Sequence, residues 1–124
     1  MNVAFVDSSC LVAIALGEAG AKATARRLAA YDVLLASGLL EAELIAACTR
    51  ETVRTPSWAS LSWVIPPRRL TAELERVFAS GYLRGADAWH VACALYVAPN
   101  PAELSFLTLD LAQRTVAKSL GFVV

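Results

Sequence analysis

The chain has 124 residues, 57% of them apolar, with eleven basic residues against eleven acidic ones. That length supports one domain, residues 1–124, with a core of its own, and the apolar content excludes a disordered chain. Zero net charge removes any general electrostatic attraction to nucleic acid, and no apolar run approaches the ~20 residues of a membrane-spanning helix.

Val3–Val6 is a short apolar run and reads as a buried strand. Asp7 interrupts it and no cationic segment precedes it, so a secretory signal is not expected. Ser8 or Ser9 is placed to cap a helix over Cys10–Leu16, which Gly17 and Gly20 break. The segment KATARRLAAY reads as a second, amphipathic helix and Val33–Ala36 as a second strand. A helix, LLEAELIAACTR, follows Ser37–Gly38.

Ser62–Ile65 is a third strand, stopped by Pro66–Pro67. Thr71 is placed to cap the helix AELERVFAS, which Gly81 ends. The apolar helix ADAWHVACAL closes at the Pro99–Asn100–Pro101 turn. Leu104–Leu109 is a fourth strand, LAQRTVAKSL a last helix, and Phe122–Val124 a terminal strand. Strands apolar on both faces, alternating with helices, predict an α/β fold: a three-layer α/β/α sandwich around a mainly parallel sheet of about five strands.

Cys10, Cys48 and Cys93 are odd in number, lie in apolar stretches and form no Cys-x-x-Cys pair, as expected of reduced thiols in a cytoplasmic protein. Four acids stand out against this apolar background. Asp7 and Asp110 each end a strand-like run, Glu43 lies within an apolar helix, and Asp87 opens another. A carboxylate beside that much hydrocarbon is costly unless compensated. Capping accounts for Asp7, Asp87 or Asp110 singly, but four acids at element ends point to convergence on a divalent cation. In parallel α/β folds ligands bind beyond the carboxyl ends of the strands.

Glu41 competes with Glu43, yet two helical positions lie about 200° apart, so only one of them faces a given site. Glu41 falls in the first turn, where the helix dipole suffices to explain it; Glu43 is the ligand candidate. His90 is the only histidine of the chain and is expected to be a hydrogen-bonded structural residue. Thr108 points to the same side of its strand as Asp110 and is placed to orient a carboxylate. Oxygen-only ligands suit Mg2+ or Mn2+ over zinc. With four acids neutralised, eleven cations would stand against seven anions, nine of those cations being arginine. Arg26–Arg27 and Arg68–Arg69 are pairs with the right chemistry for phosphate, though solvated surface is the ordinary role of such pairs.

The segments VDSSCLVAIA, SGLLEAELIAACTR, LRGADAWHVACAL and FLTLDLAQRTVAKSLG resemble, in order, those of the PIN domain, and within it the VapC-type toxins of toxin–antitoxin modules. The resemblance implies a Mg2+-dependent endoribonuclease, with Mn2+ as a substitute, whose catalytic and metal-binding acids are Asp7, Glu43, Asp87 and Asp110. It places Ser9 and Thr108 behind them. Arg50 and Arg84 are the expected phosphate contacts. It further implies an RNA substrate, a homodimer and inhibition by a cognate antitoxin. The connection between Arg50 and Ser62 is shorter than the helical insertion usual in that family, and Trp58 and Trp63 are expected to pack over the surface so exposed.

Rival readings are weaker. A phosphoaspartyl phosphatase wants a second Asp where Ser9 stands, and a receiver domain wants adjacent acids after its first strand. A PIN-like domain retained for binding alone would be expected to have lost carboxylates.

Overall fold

A computed structural model describes residues 1–124, in which β1 (Val3–Val6), β2 (Val33–Ser37), β3 (Leu61–Val64) and β4 (Ser105–Leu107) form one sheet in the order β3-β2-β1-β4. Every pairing is parallel. The helices are α1 (Ser8–Leu16), α2 (Ala21–Ala29), α3 (Leu39–Arg50), α4 (Thr71–Ser80), α5 (Gly85–Val97) and α6 (Leu111–Leu120).

Alternation along the strands explains the layering. Phe5 and Phe106 point to one face, stacked with ring centroids 5.8 Å apart, and meet α4, α5 and α6. Ala4, Val6 and Leu107 point to the other face and meet α1, α2 and α3. The apolar residues of β1 and β4 thus enter one of two cores, and burying a side chain such as Phe5 contributes roughly 1.5–3 kcal/mol. The α5 helix crosses the middle of its face, with Val91, Ala92, Cys93 and Ala94 all buried, and so carries almost no charge beyond Asp87.

The sheet has four strands, not about five. Phe122–Val124 contributes a single bridge, Val123 to Ser105, held by two backbone hydrogen bonds. Gly121 adopts a left-handed conformation (φ 108°) to end α6.

Two expected caps also differ. Asp7, not Ser8 or Ser9, is the N-cap of α1, because the residue that leaves a strand still has extended backbone and an acceptor free to turn back. Leu70 stands at the cap position of α4, where no side chain caps; Thr71 is already helical. Asn100 caps a short 3-10 turn, Pro101–Glu103.

On the edge beside β3, Trp58 is half-buried against the core while Trp63 remains 43% exposed. The short Arg50–Ser62 connection leaves a cavity of about 280 Å3 between α3 and β3, lined by both tryptophans. Arg68 makes a two-point contact with Glu73, at 3.1 and 2.6 Å, and lies 5.2 Å from the Tyr96 ring centroid. It is thus engaged within its own surface.

All three cysteines are free and buried. Burial, with the Asp7 charge adding to it for Cys10, pushes the thiols of Cys10 and Cys93 up to about 12 from 9.0. Unfolded thiols ionise near 9.0 while folded ones hold their protons to about 12. Their contribution to stability is therefore intact below pH 9 and lost as pH rises towards 12. Urea midpoints measured at stepped pH are expected to fall across that window, and less steeply in Cys93→Ala. A midpoint unchanged by pH would contradict this.

Candidate active site

The chain moves from β1 to β2 on one side and reaches β4 on the other, so the switch point of the sheet lies between β1 and β4. Asp7 is the first residue past β1, and its backbone N–H donates to the Leu107 carbonyl at 2.9 Å, which holds the two strand ends together. Thr108 and Asp110 follow directly on β4.

Asp7 is 3% exposed and is surrounded by donors. Its Oδ2 accepts from the Ser9 N–H at 3.0 Å, with the Thr108 hydroxyl oxygen 3.5 Å away. Its Oδ1 accepts from Gln113 Nε2 at 3.1 Å. An ionised carboxylate only accepts, so this shell fits the charged form.

Gln113 escaped the sequence reading. Fully buried, it donates from Nε2 to the Asp87 carbonyl as well, at 3.1 Å, and its Oε1 accepts from the Thr108 hydroxyl at 2.6 Å. Its backbone N–H donates to Asp110 Oδ1 at 2.8 Å, which makes Asp110 the cap of α6. One amide side chain thus joins three of the four acid-bearing segments. The available signal was its place at the head of the buried stripe Gln113, Val116, Ala117, a position where a polar side chain must find partners.

Glu43 sits one turn into α3, and Glu41 is exposed on another face. Glu43 Oε1 accepts from the Ser8 hydroxyl at 3.0 Å and from His90 Nε2 at 2.5 Å. With the proton on Nε2, His90 Nδ1 accepts from the buried Ser37 hydroxyl at 2.8 Å. His90 Nε2 also lies 3.7 Å from Asp7 Oδ1. The hydrogen bond from His90 holds the Glu43 carboxyl below the usual carboxylate range, against its partial burial. His90 is thus a hydrogen-bonded buried residue, and one that ties Glu43 to β2. Ser8 is a second contact that sequence inspection did not find.

Ser9 and Thr108 stand behind Asp7. Their hydroxyls are 3.3 Å apart, and Ser9 Oγ accepts the Leu109 N–H at 3.0 Å. Asp87 occupies the first turn of α5 with Arg84 Nε at 3.8 Å. Burial pushes its carboxyl up, and the charges of Asp7, Asp110 and Glu43 add to that, partly offset by Arg84.

Asp87 therefore feels the charge of each of the other three acids. Each is held by its own anchor, and no three acid or imidazole groups close on a single point as they stand. The donor set, four carboxylates with no thiolate, fits a hard divalent cation. Such a charge would relieve the repulsion that adds to burial in raising Asp87.

Arg84 belongs to this region. Arg50 does not join it: the last residue of α3, it stands about 10 Å along the helix from Glu43, largely exposed and paired with Glu51 at 3.3 Å.

Residues 4–123 match the model of a family described as PIN domain. No curated protein and no solved structure matches the chain.

Proposed function

The chain belongs to the PIN domain family, and on that footing we propose that it is a Mg2+-dependent endoribonuclease of the VapC toxin type. The observation that supports this reading is that four carboxylates, on four separate segments, lie near the switch point between β1 and β4, close enough for Asp7, Asp110 and Glu43 to add to the effect of burial on Asp87. Asp7, Glu43, Asp87 and Asp110 would hold the cation, Mg2+ or Mn2+. A cation bound there would supply an activated water and offset charge developing on the phosphate.

The chain's own residues do the positioning. Gln113 and Ser9 fix Asp7 by hydrogen bonds that point towards the carboxylate, and Thr108 holds the Gln113 amide in place. Ser8 and His90 fix Glu43. Arg84 is placed to meet a phosphate beside Asp87. Control by a cognate antitoxin and a homodimeric state rest on the motif resemblance. A cytoplasmic location rests on the three free, buried thiols.

A binding domain without catalysis is the second reading, favoured by the separate anchoring of the carboxylates. Calorimetric titration with Mn2+, alongside RNA incubations with Mg2+ or with chelator, separates the two. Saturable Mn2+ binding and cleavage that chelator abolishes are the expected results. Cleavage that survives chelation would sink the metal-dependent assignment, and metal binding without cleavage would favour the binding domain.

A further inference from the structure

The segment between α4 and α5 is short, extended and one-sided. Arg84 has extended backbone (φ −63°, ψ 153°), and exposure alternates along the segment: Tyr82 82% exposed, Leu83 buried, Arg84 exposed. In an extended chain, residues two apart project to the same side, about 6.6 Å from one another. Leu83 enters the core, so Tyr82 and Arg84 stand together on the solvent side, and Arg84 reaches to 3.8 Å from Asp87. Behind Tyr82 lies Phe78, itself 44% exposed, with ring centroids 6.3 Å apart and planes tilted by 48°.

Charge alone does not explain how a polyanion would be retained here. The chain is neutral overall, and the acids of the site repel phosphate. The residues flanking Asp110 are apolar and exposed, Leu109 at 51% and Leu111 at 79%. Where charge does not hold a strand, exposed aromatic rings can, since the bases of a single strand are free to stack on them.

Resting on the nuclease reading above, we infer that Tyr82, backed by Phe78, is a stacking platform for an unpaired base next to the phosphate that Arg84 contacts. Base stacking at this rim, and not overall charge, then holds the strand. An aromatic ring is sequence-tolerant as a platform, because every base has a π-face.

The test uses the full chain with Ca2+ in place of Mg2+, so that binding is read without turnover. The probe is a short fluorescein-labelled unstructured RNA, compared with the same strand in a duplex. Anisotropy is expected to show preference for the single strand. Tyr82→Ala is expected to weaken binding roughly 5- to 150-fold, the range of one lost base stack, while Tyr82→Phe binds like the unaltered chain.

In Mg2+ the same loss should appear in KM more than in kcat. Equal binding by Tyr82→Ala, equal affinity for duplex, or no binding of the single strand would each overturn the inference. So would loss of self-association in Tyr82→Ala with RNA binding intact, which would assign the ring to a protein interface. Single-strand binding that depends on Tyr82 without cleavage in Mg2+ would leave the platform standing and remove the nuclease reading instead.

Discussion

Asp7→Asn is expected to reduce RNA cleavage by roughly two orders of magnitude, a loss of about 3 kcal/mol in transition-state stabilisation, with the fold retained. Asparagine caps a helix as well as aspartate does, so the Ser9 N–H keeps an acceptor. The substitution nonetheless turns one acceptor into a donor. Both oxygens of Asp7 receive hydrogen bonds, from Gln113 on one side and from Ser9 on the other. One of these contacts becomes donor against donor, at a cost of about 1–3 kcal/mol. Relief of the repulsion that Asp7 exerts on Asp87 offsets part of that.

Cleavage kinetics on a defined RNA, with circular dichroism and a melting curve for the same preparation, separate chemistry from folding. A rate equal to that of the unaltered chain, with the fold intact, would remove Asp7 from the site.

His90→Ala acts mainly on stability, with an expected loss of about 3 kcal/mol. Fully buried, the ring fills space between α5, β2 and α3. Removing it leaves a cavity and strips the Ser37 hydroxyl, also fully buried, of its partner. Glu43 keeps only Ser8 and is no longer held low by the imidazole.

Urea denaturation measures the first effect. His90→Leu is a useful companion, since it refills much of the cavity but leaves Ser37 and Glu43 without the ring. If the cost is chiefly polar, the two variants will be similarly destabilised. A midpoint within experimental error of the unaltered chain for His90→Ala would mean that the network is dispensable. Cleavage is expected to fall in both variants, because Glu43 then lacks the contact that orients it.

Much of the fold was legible because it follows from side-chain period. Val3–Val6 is apolar throughout, and its residues enter both cores, Phe5 on one side and Ala4 and Val6 on the other. A strand of that kind belongs inside a parallel sheet. The helices LLEAELIAACTR and LAQRTVAKSL form over the residues expected. Strand ends were less legible. Leu104–Leu109 pairs only over Ser105–Leu107, and Phe122–Val124 does not become a strand. Where pairing stops depends on how far a neighbour extends, a property of two segments and not of one.

The acids themselves were readable, because charge within hydrocarbon demands compensation wherever it occurs. Glu43 was separable from Glu41 for a similarly local reason, the angle between helix positions. What compensates each acid was not readable. Ser8 meets Glu43 across 35 positions, His90 meets it across 47, and Gln113 meets Asp7 across 106. No local pattern records such pairs.

The amino-acid sequence alone determined the layered α/β class and which carboxylates lie at element ends, since both follow from the order of apolar and polar residues along short stretches. The tertiary structure decided that Gln113 binds Asp7, that His90 links Glu43 to Ser37, that Arg84 and not Arg50 stands beside the acids, and that Tyr82 lies next to Arg84 on the rim. The physical reason is that hydrogen bonds and charges act over a few ångströms of space, and only the packed chain sets those distances.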